Sequence, residues 1–181
     1  MSTTLQRIAY SPLWLLLHAV ALLPFGALYV LSDALAWVAA SVVRYRRRLV
    51  EANIAAAFPD KTVAERRDIV KRFYRNFTDV FVETIKLLHI SDDEMRRRMV
   101  FEDIEHVERI AKDGRSIGLY CSHFGNWEWI TSITLWGYRA DNVEYSQVYR
   151  PLRNKWFDRF WFNLRKRFHS TSIPKNGVLR A

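Results

Sequence analysis

The sequence predicts an α/β domain preceded by an apolar N-terminal helix and a basic helical region. Three observations carry that prediction. No charged residue occurs from Pro12 to Ser32, and apolar character continues past Asp33 to Val43. Helix-start signals and helical apolar spacing then recur to about residue 99. Beyond that, short apolar or β-branched runs alternate with helical patterns, the mark of a sheet flanked by helices. The chain accordingly divides into an anchor over 1–45, a helical region over 46–99 and an α/β region over 100–181.

The apolar segment exceeds the ~20 residues a helix needs to cross a bilayer. Trp14, Tyr29 and Trp37 suit interfaces, and Pro24 with Gly26 marks a kink that membrane helices tolerate. A cleaved signal peptide fits less well, although Ala34-Leu35-Ala36 faintly resembles a cleavage site. The only charge ahead of the apolar run is Arg7, the run is too long, and Arg44, Arg46, Arg47 and Arg48 follow at once. That basic cluster places the bulk of the chain on the cytoplasmic side under the positive-inside rule. A broken helix lying in one leaflet is the alternative geometry.

The spacing predicts a helix over Arg46–Phe58, stopped by Pro59-Asp60-Lys61. Thr62 with Glu65 forms a capping-box signal for a long helix whose apolar stripe, Val70, Phe73, Phe77, Val80, Phe81, Thr84, Ile85 and Leu88, is assigned to the core. Arg66, Arg67, Lys71, Arg72 and Arg75 lie mostly off that stripe, on a solvated or membrane-facing side. Ser91 with Glu94 repeats the capping signal for a short basic helix, Asp92–Met99. A strand over Val100–Ile104 and a helix over Glu105–Lys112, ended by Asp113-Gly114, come next. Further strands are predicted over Ser116–Cys121 and Asn142–Tyr149, and further helices over Trp127–Tyr138 and Pro151–Phe168. Ile173 to Arg180 has the composition of the start of another unit.

With 28 Lys and Arg against 19 Asp and Glu, the formal net charge is +9. Behind an apolar anchor this favours an anionic lipid surface, a phosphorylated lipid or an acidic carrier protein over nucleic acid, for which no motif is present. Cys121 is the single cysteine, so no intrachain disulfide can form; at the end of an apolar run it reads as a small hydrophobe rather than a nucleophile paired with His123. His18, His89, His106, His123 and His169 show no metal-ligand spacing, and neither a metal nor a cofactor is expected.

His123-Phe124-Gly125-Asn126-Trp127-Glu128 is the most informative stretch. It sets an imidazole and a carboxylate five positions apart where an apolar run gives way to helical spacing. A neutral imidazole takes a proton from a hydroxyl, and a nearby carboxylate fixes its tautomer and stabilises the imidazolium. Gly125 allows close approach of backbone or substrate, and Asn126 is placed to cap a helix whose N-H groups face an anion. On its own the His-x4-Glu spacing is common, and a histidine capping a turn or a glutamate favoured by the helix dipole would explain it.

The surroundings are more specific. His-Phe-Gly-Asn-Trp-Glu after an apolar run, Val148-Tyr149-Arg150-Pro151-Leu152-Arg153-Asn154 downstream and the apolar start together resemble the bacterial lipid A biosynthesis (late lauroyl/myristoyl) acyltransferase family, from about Leu13 to the last residue. The resemblance implies a glycerolipid-acyltransferase-like α/β domain at the bacterial inner membrane. It implies transfer of a fatty acyl chain from acyl carrier protein, or from acyl-CoA in some relatives, to a hydroxyl of a lipid A precursor or related glycolipid. His123 is then the general base and Glu128 its support, with Arg165, or Arg167 as rival, meeting the oxyanion. Arg150 and Asn154 fit the Tyr-Arg-Pro-x-x-Asn pattern, and with Gly125 and Asn126 are assigned to substrate binding. Transfer to another glycolipid or glycerophospholipid, and a catalytically silent lipid-binding protein, are the alternatives. Family members continue well beyond the point matching Ala181, so the α/β domain is expected to be incomplete here.

Overall fold

The structure, a computed structural model, describes residues 3–137 and 143–176. It is mostly helical, with one small parallel sheet of two strands. Two compact units are distinguished, one formed by Leu22–Lys86 and the other by Met1–Ala21 with Leu87–Ala181. The expected apolar anchor is two helices: α1 (Thr3–Leu22) ends just before Pro24, which caps α2 (Phe25–Trp37). Proline fits a helix start, where its missing N-H is not needed.

In the unit Leu22–Lys86, α2 runs on through a π-turn (Val38–Val42) and packs with α3 (Arg47–Ala57) against α4 (Val63–Lys86). Ala36, Val50, Ile54 and Tyr74 make the core. Polar groups line the rest of the α2–α4 seam. Ser32 Oγ donates to Thr78 Oγ1 (2.9 Å), Tyr29 OH to Glu83 (2.9 Å) and Lys86 Nζ to the Leu23 carbonyl (2.7 Å), while Arg75 grips Asp33 through two bonds of 2.7 and 2.9 Å. The outer face of α2 is apolar and open: Val30 is 72% exposed and Trp37 63%.

This seam corrects the expected core stripe of α4. The buried face carries Tyr74, Thr78 and Val82 beside Thr84, which the stripe included, whereas Phe73, Phe77 and Phe81 stack on one another, with Phe73 and Phe81 exposed. Helical periodicity named a single apolar stripe that included Phe73, Phe77 and Phe81. The partner decided otherwise, because α2 offers serine and alanine, which fit threonine and a tyrosine whose OH reaches the Tyr45 carbonyl (2.7 Å).

The capping box at α4 forms as the sequence predicts. Glu65 accepts from the Thr62 amide (2.8 Å), and the Glu65 amide donates to Thr62 Oγ1 (3.3 Å). The Thr62 amide first, then its hydroxyl and Lys61, hold the Glu65 carboxyl below its usual value. A carboxyl lowered in the folded state contributes stability above the ordinary range, about pH 4 to 5, and loses it as pH falls through the lowered value. Thr62→Ala is therefore expected to lower the thermal midpoint by about 2 to 8 °C at neutral pH. Circular dichroism melts should show that difference shrinking towards pH 3.

In the other unit, α5 (Asp92–Arg98) begins at Ser91, whose Oγ accepts from the Glu94 amide, and α6 (Ile104–Lys112) follows. A 3-10 helix (Trp127–Leu135) buries Trp129, Thr131, Ser132, Thr134 and Leu135. Strand β1 (Ser146–Tyr149), helix α7 (Lys155–Arg165) and strand β2 (Thr171–Pro174) form a single βαβ unit, paired from Ser146↔Thr171 to Tyr149↔Pro174. A parallel pair needs such a crossover. Leu164 and Phe168 are buried, and Thr134 Oγ1 donates to the Phe168 carbonyl.

Two predicted strands are absent among the described residues. Val100–Ile104 turns at Asp103, in the left-handed region (φ +53°), straight into α6. Ser116–Cys121 is irregular and exposed, with Tyr120 fully so. An apolar run becomes a strand only when another strand takes up its backbone groups, and periodicity within the run carries no information about that partner. The α-helix expected over Trp127–Tyr138 is the 3-10 helix, and Pro151–Phe168 is helical only from Lys155. Tyr138, Asn142 and the Val178–Arg180 end of the last predicted segment lie outside the described residues.

Candidate active site

A cavity of about 1290 Å³ opens beside the βαβ unit, between the loop 114–123, the 3-10 helix, β1 and α7. His123, Glu128, Arg150 and Arg165 all line it. Sequence separations of 22 and 37 residues are thus closed onto one space. His123 is exposed at the cavity wall, and its ring lies 4.8 Å from that of Trp127. No hydrogen bond to His123 occurs among the described residues.

Glu128 sits in the first turn of the 3-10 helix, where the dipole favours a carboxylate. Its partner is Arg165 on the last turn of α7: Nε donates to Oε2 (2.9 Å) and Nη2 to Oε1 (2.7 Å), a bidentate pair with side-chain exposures of 21% and 13%. Such a fork fixes both planes at once. Trp161, one turn earlier on α7, lies under the guanidinium at 5.8 Å, and Ser170 Oγ donates to the Arg165 carbonyl (2.8 Å). Two residues assigned separate roles from the sequence are therefore in direct contact, Glu128 with Arg165 rather than with His123.

The remaining assignments separate. Gly125 adopts φ +57°, and nothing lies within 4 Å of a Cβ built on it, so conformation rather than close approach requires glycine there. Gly125→Ala is expected to cost about 1 kcal/mol, read as a lower thermal midpoint. Asn126 occupies the N-cap position, but its side chain does not accept from the amides that follow. Asn154 lies outside the cavity lining; its Oδ1 caps α7 by accepting from the Trp156 (3.0 Å) and Phe157 (3.3 Å) amides, and its Nδ2 donates to Tyr10 OH (2.8 Å). Arg167, the rival of Arg165, points elsewhere, donating to the Ile90 carbonyl (2.8 Å) and pairing with Asp92 (3.3 Å).

Sequence reasoning left Trp127 and Trp161 unassigned, yet they flank His123 and Arg165. The signal for Trp161 was its four-residue spacing from Arg165 on a helix. Gly137 was also passed over: a Cβ there would lie 1.9 Å from the Tyr145 hydroxyl, so glycine lets that ring reach the cavity wall. Among the described residues no cluster of His, Cys, Asp and Glu could hold a metal.

A histidine, an ion-paired carboxylate and three arginines, Arg115, Arg150 and Arg165, around one cavity make an arrangement suited to acid-base chemistry on a substrate that develops negative charge. The family model for bacterial lipid A biosynthesis acyltransferases matches residues 3–181, and the chain belongs to that family. It is similar to a lipid A biosynthesis acyltransferase of Haemophilus influenzae, 23% identical over 163 residues, covering 88% of this chain and 50% of that protein. It is also similar to lipid A biosynthesis acyltransferase 2 of Shigella flexneri, 23% identical over 125 residues, covering 69% of this chain and 38% of that protein. The chain thus spans half or less of the length of these curated relatives. No solved structure matches it significantly.

Proposed function

We propose that these residues carry the acid-base part of an acyltransferase that moves a fatty acyl chain from an acyl thioester to a hydroxyl of a lipid A precursor. In this reading, residues 1–45 are the membrane anchor, 46–99 a helical region, and 100–181 belong to a glycerolipid-acyltransferase-like α/β domain. The donor is acyl carrier protein or acyl-CoA. The observation that carries the reading is the convergence of His123, Glu128 and Arg165 on one cavity in a chain of this family.

His123 takes the proton of the acceptor hydroxyl as its oxygen attacks the thioester carbonyl carbon. The carbonyl oxygen becomes an oxyanion, the carbon–sulfur bond then breaks, and the departing thiolate receives the proton from His123. Two charges appear together, an imidazolium and an oxyanion. The Glu128–Arg165 pair supplies a counter-charge to each, the carboxylate to the imidazolium and the guanidinium to the oxyanion. Arg150 is proposed to hold the acceptor side, with Gly125 and Asn126 shaping the turn beside it and Asn154 bracing the start of α7 through its cap.

The test is transfer from a labelled acyl-carrier-protein thioester, and separately from acyl-CoA, to a lipid A precursor and to a glycerophospholipid, using the full-length protein that carries these residues. Product on the lipid A precursor alone supports the reading. Product only on the glycerophospholipid moves the acceptor, and no product with either donor refutes acyl transfer.

For location, the proposal is the cytoplasmic face of a bacterial inner membrane. The stretch Phe25–Val42 is long and apolar enough to span a bilayer, with mean hydropathy 1.6, and the exposed apolar face of α2 supports contact with lipid. High-salt washing is expected to leave the protein in the membrane fraction, because salt screens Arg44 to Arg48 but does not weaken apolar burial. Extraction by salt in a sedimentation assay would show purely electrostatic attachment.

A further inference from the structure

A second cavity, of about 490 Å³, lies between α1, the Leu87–Leu88 turn and α7, away from His123. Its walls are apolar and aromatic: Trp14 from α1, Leu88, and Trp156 with Phe160 from α7, the last two stacked at 5.6 Å with rings 7° from parallel. Lys155 and Arg159, one turn apart on α7 and both exposed, stand at the same cavity. Neither makes an ion pair or hydrogen bond among the described residues, whereas Arg167, which lines the same cavity, is already held by the Ile90 carbonyl and Asp92. The α1 side chains beside Trp14 are apolar and open, Leu15 being 61% exposed and Leu16 59%.

We infer that this cavity binds an anionic phospholipid of the surrounding membrane, its phosphodiester between Lys155 and Arg159 and the start of an acyl chain against Trp14, Trp156 and Phe160. Two adjacent unneutralised cations fit one diffuse anion. The walls fit a chain that must lie next to it, and indole rings favour the boundary where headgroup meets hydrocarbon. A free anion would use the cations but leave the aromatic walls wet; a neutral lipid would use the walls but leave the cations without a partner. Only an anionic amphiphile uses both. The site does not depend on the acyl-transfer reading, since none of these residues lines the cavity holding His123.

The experiment is tryptophan quenching of the full chain in mixed micelles doped with brominated phosphatidylglycerol or brominated phosphatidylcholine. Each nearby cation favours an anionic headgroup about fivefold, so half-maximal quenching is expected at a mole fraction about twenty-fivefold lower for the glycerol lipid. Lys155→Gln/Arg159→Gln should bring the two lipids to parity with an unchanged thermal transition, and Trp156→Phe should remove part of the selective quenching. Equal quenching in the unaltered chain, selectivity surviving in Lys155→Gln/Arg159→Gln, or undiminished selective quenching in Trp156→Phe overturns the inference. So does thermal stabilisation by inorganic phosphate as large as that by a short-chain phosphatidylglycerol, which would assign the cations to a free anion.

Discussion

His123→Ala is expected to lower acyl transfer by a factor of ~10² to 10⁴ while leaving the thermal midpoint and membrane association unchanged. The fold-neutral half of that expectation follows from position: His123 is exposed, touches one ring, Trp127, and makes no hydrogen bond among the described residues. Glu128→Ala should lose as much activity but carry a structural penalty, because it strands the Arg165 guanidinium, which is four-fifths buried. Glu128→Gln separates the two effects. It keeps the shape and the capacity to accept a hydrogen bond from Arg165, so most of the stability should return while turnover stays low, a neutral amide being unable to offset an imidazolium. Turnover is read with a labelled thioester and stability by a melt on the same samples. Near-normal turnover in His123→Ala would remove the general-base assignment outright.

How much of this was legible in the sequence depended on how local each feature is. The capping box of Thr62 and Glu65, the cap at Ser91 and the break at Pro24 lie within a few residues of the groups they satisfy, and all three form where the spacing placed them. The face of α4 was not local: whether Phe77 or Thr78 is buried depends on what α2 presents, and helical periodicity alone cannot supply that. The strands over 100–104 and 116–121 failed for a related reason, since strand formation belongs to a pair of segments rather than to one. At the site, the short-range grouping of His123, Gly125 and Glu128 was visible. That Glu128 would find Arg165 was not, because the contact spans 37 positions and joins the first turn of one helix to the last turn of another.

That contact sets up the largest stability effect expected here. Arg165→Met removes both hydrogen bonds to Glu128 and leaves a carboxylate only 13% exposed without its cation, which should cost about 2 to 3 kcal/mol, somewhat below the range for a fully buried pair. Arg165→Lys retains the charge but cannot form the two-pronged geometry, so it should lose about 1 kcal/mol or less and fold normally. The conservative variant decides what Arg165 does in the reaction. An arginine that only braces Glu128 can be replaced by lysine with turnover and pH profile nearly intact. An arginine that turns to the thioester oxyanion cannot: kcat should fall by a factor of ~10² with KM little changed, since the lost interaction exists only in the transition state. Steady-state kinetics of Arg165→Lys beside its melting curve separates the two. Wild-type kcat in a stably folded Arg165→Lys protein would confine Arg165 to holding the carboxylate in place, and leave the oxyanion to another group around the cavity, with Arg115 and Arg150 the other arginines on its wall.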